Sequence, residues 1–541
     1  MAKKTNKPKA AAKRKTRKKS RKRKNMNGAP APGQRLLPPE NGVTVRMYRT
    51  GHGDCFLLAF AGEAADKPAY VLIDCGYKPG SPRHISTKIA EITDSIREAT
   101  GGHLHVAVIT HEHQDHVNGI TETNFAGITI GETWLAWTED PEDALANNLR
   151  TTFKDKLLGL LRARHQLALS GDAEQVRRID EFLDFELGGD SETDPAPTAA
   201  TALAAVGGDP AQSMNKRSMK ILKDRAQNGV KYVRPHERIF GVPGAKNVRV
   251  YALGPPRDSA QIEDLDPQGE EAFQRLRLAA SAETYLTSAI SAGGGQPPFG
   301  NRYCIALAQA HVDPTHGSFF LGRYGQEGTL TGFVPGPATR ASDEAHDNPA
   351  WRRIDKEWLF SAEQLALDMN DYTNNSSLVL AFELGKGGKV LLFAADAQRG
   401  NWVSWAKKDW KDGDAKVTAR DLLARTVLYK VGHHGSHNAT LDGPAQADTP
   451  NLAWMANGEY SRDFTAMITA VRSWAETQKG WDHPLKSIKE ALLKKASGRV
   501  FQTDTDFDRM RMPDDASKAD WERFQSCARG DRLYFENTVL S

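Results

Sequence analysis

The chain has 541 residues, 39% hydrophobic and 26% charged, the balance of an ordinary globular protein with length for two to four domains. No run of 18 or more apolar residues occurs, so no transmembrane segment is expected. The four cysteines, Cys55, Cys75, Cys304 and Cys527, form no CxxC pair, which argues against a thiolate zinc site and fits a reducing, cytoplasmic setting. The net charge of +4 conceals a split: residues 1–25 carry fourteen Lys and Arg and no acid, leaving 58 bases (72 less 14) against 68 acids, a net of −10.

Residues 1–41 read as a basic disordered tail and linker ending in Pro38 and Pro39. Such an arm is either simply solvated or an electrostatic partner for nucleic acid, because each base near a phosphate releases counterions. No aromatic residue interleaves the charges to stack bases. In a eukaryote the same run reads as a nuclear import signal.

From 42 to 140 the texture is strand-rich. "VTVRMYRT" and "CFLLAFAG" flank "GHGD" as a hairpin, and "AYVLIDCGY" is a third strand. Ile85, Ile89, Ile92 and Ile96 recur at helical spacing, and "HLHVAVIT" reads as a strand buried on both faces. Residues 141–369 read as a mainly helical insertion with some strand. It holds "FKDKLLGLLRARHQLAL" and "EEAFQRLRLAASAETYLTSAI" as helices, a Gly/Pro-rich loop between them, and "NVRVYALGPP" as a strand. Strand texture returns over 370–506. Two apolar runs flank Gly385–Gly388 as a hairpin, "RTVLYKVGHHGSHNAT" follows, "DFTAMITAVRSWAETQ" reads as a long helix, and "ASGRVFQTD" reads as a final strand. Residues 507–541 are left as a C-terminal extension. Strands alternating with helices predict a layered α/β fold.

The chemistry is concentrated in "AVITHEHQDHVNG", where His111, His113, Asp115 and His116 fall within six positions after a buried strand. Imidazoles and carboxylates are the usual ligands of zinc and its neighbours. His111 and His113, two apart on an extended segment, project to one side. Asp115 and His116 follow where the chain turns toward Gly119, so one loop offers ligands to two adjacent ions. Strand ends are where α/β folds place their sites.

"THEHQDHVNG" matches the HxHxDH signature of the metallo-β-lactamase superfamily. "RTGHGDCFLLAF", "VLIDCGY", "NNSSLVLAFELGKGGKVLLFAADA", "LYKVGHHGSHNAT" and "GWDHPLKSIKEALLKKASGRVFQTD" resemble, in order, the motifs of ComEC-like metallo-hydrolase domains, here without the membrane channel. The resemblance implies a four-layer αββα sandwich with a dinuclear site at one edge. His111 and His113 would hold the first ion, and Asp115, His116 and His434 the second. Asp396 would bridge both, and Asp74 would orient a ligand or the loop. His434 is preferred to His433 as the residue before the glycine. His437 and Ser436 would reach substrate, with helix capping an equal reading of Ser436.

The sequence departs from the superfamily at a further histidine ligand, for which His165, His236, His311, His316 and His346 offer no strand-end context. Asn374 or Asn375 is expected near the first ion as a weak ligand, and His483 at the rim. Zinc is the expected metal, with manganese or iron compatible with Asp115 and Asp396. Two such ions lower the pKa of a shared water from about 15.7 toward about 7. The resemblance therefore implies a hydrolase using a metal-bound hydroxide, Asp115 and Asp396 carrying the chemistry. Its expected substrates are phosphodiesters, including nucleic acid. The alternatives are a small-molecule ester, lactone or phosphoester hydrolase, or a weakly catalytic metal-binding interaction protein. A nuclease predicts a basic groove at the site; a small-molecule hydrolase predicts a pocket under the 141–369 insertion.

Overall fold

The computed structural model describes residues 1, 35–64, 67–82, 88–169, 173–187, 213–273, 354–478 and 481–541. The basic tail, Ile85, residues 188–210, most of the expected 270–290 helix, and His311, His316 and His346 lie outside the described residues.

The chain forms a mixed α/β fold with two large sheets. In the first, β1 (Gly42–Tyr48), β2 (Cys55–Phe60), β3 (Ala69–Cys75), β4 (His103–Ile109), β5 (Thr129–Ala136) and β6 (Val230–Val233) lie side by side in chain order. The second begins with β7 (Val248–Gly254), β8 (Val379–Leu384) and β9 (Val390–Phe393). After a separate ribbon of β10 (Asp409–Asp412) and β11 (Ala415–Thr418), it continues with β12 (Thr426–Lys430), β13 (Thr465–Ile468) and β14 (Val500–Gln502). Each sheet starts antiparallel, through β1–β2–β3 and β7–β8–β9. Each then turns parallel, through β3–β6 and through β9, β12, β13 and β14. The "GHGD" and Gly385–Gly388 hairpins thus join β1 to β2 and β8 to β9.

The helices that bear on the site are α1 (Ile89–Thr100), α2 (Gln114–Val117), α3 (Ala144–Leu169), α4 (Ala173–Leu187), α5 (Met214–Arg225), α6 (Ile354–Asn375), α7 (Ala419–Ala424) and α8 (Lys486–Lys495). The period-two pattern of the strands decides where they pack. Val43, Val45, Phe56, Leu58, Val71 and Ile73 share one core with Phe382, Leu391, Phe393 and Phe501 of the other sheet. Leu57, Tyr70 and Leu72 point the other way, onto Ile92 and Ile96 of α1. Cys55 and Cys75 are buried in that second cluster as free thiols. Leu392, Tyr429 and Ile468 meet Leu422 and Leu423 of α7 and Ile488 and Leu492 of α8.

Three segments differ from the sequence reading. Within 141–369, β6 joins the first sheet and β7 the second, while α3, α4 and α6 share their own apolar cluster around Leu160, Leu183 and Met369. Residues 507–541 are more than an extension. They supply β15 (Ala528–Gly530) and β16 (Tyr534–Leu540), and β16 runs antiparallel to β1 from Tyr48↔Tyr534 to Gly42↔Leu540. A buried Arg46–Glu536 ion pair of 2.7 Å ties that pairing. The stretch read as one long helix is instead β13 followed by a single helical turn, Arg472–Ala475. Phe464, Ile468, Val471 and Ala475 are buried at helical spacing, which mimics an amphipathic helix. The slot between β12 and β14 takes Thr465–Ile468 as a strand, with Ala466 and Met467 facing opposite cores.

Candidate metal centre

The C-terminal ends of the parallel strands converge on one buried cluster. Asp74 ends β3, the histidine loop follows β4, Asp396 follows β9, His433 and His434 follow β12, and Thr469 follows β13. The β1–β2 loop adds Asp54, whose backbone N–H donates to the Asp115 carbonyl at 3.0 Å. The turns are sharp: Asp74, Ala395, His433 and His434 all have positive φ, between 42° and 55°. Such non-glycine conformations cost of order 1–3 kcal/mol each and persist where surrounding structure enforces them. Gly76 is required here for space, because a Cβ on it would stand 2.3 Å from the Asp115 carbonyl carbon.

His111, His113, Asp115, His116, Asp396 and His434, the six expected ligands, meet in this cluster. His111 Nε2 lies 3.0 Å from His113 Nδ1. The Asp396 carboxylate oxygen Oδ2 is 3.3 Å from His116 Nε2 and 3.2 Å from His434 Nε2. His434 Nε2 is also 3.0 Å from Asp115 Oδ2. His111, His116 and Asp396 each offer one donor atom, and those atoms lie within 4.8 Å of one another. His433 points elsewhere, to Asn374 and Asn438 at 3.2 Å each.

The outward-facing ring atoms are held in turn. Asp74 Oδ2 meets His116 Nδ1 at 2.8 Å and accepts from the Thr110 hydroxyl at 2.7 Å. His434 Nδ1 is 2.9 Å from the Thr469 hydroxyl, which donates to Asp54 Oδ1 at 2.5 Å. Asp54, His116 and His434 form a second compact donor group. That group faces the Nδ1 atoms, which already have Asp74 and Thr469 as partners, and the Lys430 ammonium stands 2.6 Å from Asp54. The His111–His116–Asp396 side is therefore the better cation site.

Charge follows this arrangement. Burial opposes ionisation of Asp396 and Asp115, but imidazoles outweigh it and hold both carboxyls well below the usual range. His434 and Lys430 act on Asp396, and His116 and His434 act on Asp115. Burial likewise opposes charge on His434, yet Asp396 and Asp115 lift it to about 9. Burial, with His116 and His113 alongside, pushes His111 well down and keeps it neutral, the form that ligates metal. Asp115 Oδ1 is buried with no hydrogen-bond partner among the described residues. The same carboxylates also raise His116, so a divalent cation held by the carboxylates and by neutral His111 would take the place of the protons on His116 and His434.

Other expected residues fall at the rim or outside. His483 contacts His52 at 3.4 Å, and the His52 ring lies 4.4 Å from that of His434. Among the described residues Asn374 meets the site through His433, and its Oδ1 has no partner there. Asn375 turns away to the carbonyls of Gln261, Ile262 and Asp264. Ser377 Oγ, 3.2 Å from His111 Nδ1, stands nearer than either. Ser436 ends the short turn holding His434, and His437 pairs with Asp266 at 3.1 Å. His165 is exposed on α3, and His236 packs against Trp410, away from the cluster.

The sequence reading missed Glu186. From the end of α4, its Oε1 lies 2.7 Å from His113 Nε2, both side chains buried. Asn215 of α5, fully buried, donates to the carbonyls of Glu112, Phe185 and Glu186 at 2.9–3.1 Å. The helical region is thus stitched directly to the histidine loop.

A cavity of about 280 Å³ opens beside His111, beneath α3, α4, α5 and α6. Among the described residues no helix is long and apolar enough to cross a membrane. Comparison with family models and with curated proteins finds no match to this chain.

Proposed function

We propose that this protein is a metal-dependent hydrolase of the metallo-β-lactamase superfamily, ComEC-like in its motifs, that cleaves phosphoesters or carboxylic esters. The observation that carries the reading is the meeting of His111, His116, Asp396, Asp115 and His434 around one small volume at the strand ends. Two sheets that share a core, with helices on both outer faces, support the αββα sandwich that this superfamily implies.

In this reading His111, His113 and Asp396 would hold one cation, and Asp115, His116 and His434 the other. Bound there, divalent ions, zinc or else manganese or iron, would supply an acidified water and charge stabilisation. The chain's own groups do the rest. Ionised Asp396 and Asp115 are acceptor-only, so a water between them donates its protons inward and turns a lone pair toward the substrate. Its oxygen adds to phosphorus or carbonyl carbon, the ester bond breaks, and the displaced proton returns to the leaving alcohol. Asp74 and Thr469 fix the ring orientations of His116 and His434.

The test is metal content by mass spectrometry beside turnover of bis-p-nitrophenyl phosphate. About two metals per chain are expected, with turnover lost on chelation and restored by Zn2+ or Mn2+. Metal-independent turnover, or a protein that binds no metal, would sink the reading. Glu186→Gln is expected to weaken metal affinity about 10- to 100-fold, because it removes the carboxylate that orients His113. Chelator competition reads this directly, and unchanged affinity would make Glu186 a packing residue only. A nucleic-acid substrate is favoured by one observation, the fourteen bases in residues 1–25, and a labelled DNA strand tests it in the same assay.

A further inference from the structure

We infer that the cavity beneath the helices is the substrate seat, and that it takes a small ester or phosphoester with an apolar body of aromatic size. This rests on the hydrolase reading and narrows it. The cavity touches the site through His111 and is walled by Leu149, Phe153 and Leu157 of α3, Met219 of α5 and Tyr372 of α6. Its volume, about 280 Å³, is near the lower limit of ordinary small-ligand pockets. The walls are mainly apolar, so burying a matching surface there is the available source of affinity.

The polar groups are few. Tyr372 Oη is buried with no hydrogen-bond partner among the described residues, a donor open to an oxygen of the ligand. Glu112 and Lys216 stand on the same lining and offset each other, and Glu139 adds a further acid. Glu186 is taken by His113, and the Arg150 guanidinium by the Thr138 and Asp140 carbonyls and Asn147. Nucleic acid presents a charge about every 3.4 Å along each strand and needs a run of free bases. Among the described residues this lining sets three bases, Arg150, Lys154 and Lys216, against three acids, and offers no run of free bases. A single ester group at His111 with its organic body under α3 meets both the shape and the charge.

Phenylphosphonate and methylphosphonate, which carry no hydrolysable ester, separate binding from catalysis. Isothermal titration of the metal-loaded full chain is expected to show phenylphosphonate binding at least tenfold tighter. Leu149→Trp, which fills the cavity, is expected to erase that advantage, with metal content measured alongside. Equal affinities of the two phosphonates for the wild-type protein would overturn the proposal, as would faster cleavage of a DNA strand than of p-nitrophenyl phenylphosphonate. A phenyl preference without turnover of that ester would leave the cavity standing and remove the hydrolase reading. Turnover without a phenyl preference would do the reverse.

Discussion

Asp396→Asn is expected to reduce hydrolysis about a thousandfold and to cut metal content to one ion or fewer, with the fold retained. The Asp396 carboxylate groups with His111 and His116 within 4.8 Å and lies 3.2 Å from His434, so it stands beside ligands assigned to both ions. Asparagine keeps the shape and removes the charge. Loss of a metal's contribution to the barrier amounts to several kcal/mol, and each 1.36 kcal/mol is about tenfold. Steady-state kinetics and mass-spectrometric metal counts on the variant check it, with circular dichroism for the fold. A variant that keeps two metals and a tenth of its activity would show that Asp396 is not the bridge.

Lys430→Met is expected to act on stability, lowering it by about 3–5 kcal/mol, because removing one partner leaves buried charges uncompensated. Lys430 sits at the end of β12, 2.6 Å from Asp54 and 3.1 Å from Asp396, and all three side chains are almost wholly buried. The ammonium is held charged against burial by those two carboxylates. Urea unfolding of the single variant and of Asp54→Asn/Lys430→Met would measure the coupling. The double variant is expected to recover part of the loss. A cost under 1 kcal/mol for the single variant would mean the carboxylates are satisfied elsewhere.

What the sequence made legible follows from how far apart the cooperating residues lie. His111, His113, Asp115 and His116 fall in one loop, so their pattern is local, and Asp396 and His434 follow recognisable strand ends. Asp54 and Lys430 stood in quoted motifs but looked like turn and strand residues, since nothing local shows that a buried ion pair joins them. Glu186 left no mark at all: a glutamate on an amphipathic helix is ordinary until the fold brings it 73 positions back to His113. The 464–475 stretch failed for the opposite reason, because its local period was clear and the sheet overruled it.

The pairing of β1 with β16 has a consequence for biosynthesis. Gly42 meets Leu540, so β1 waits for a partner almost five hundred residues further along the chain before its outer edge is covered. At about 5–20 residues per second that is roughly half a minute to a minute and a half of open strand edge. Unpaired edges are where chains stick to one another. The open edge should therefore draw on holdase capacity during translation, and a fusion that delays release of β16 should lower the soluble yield.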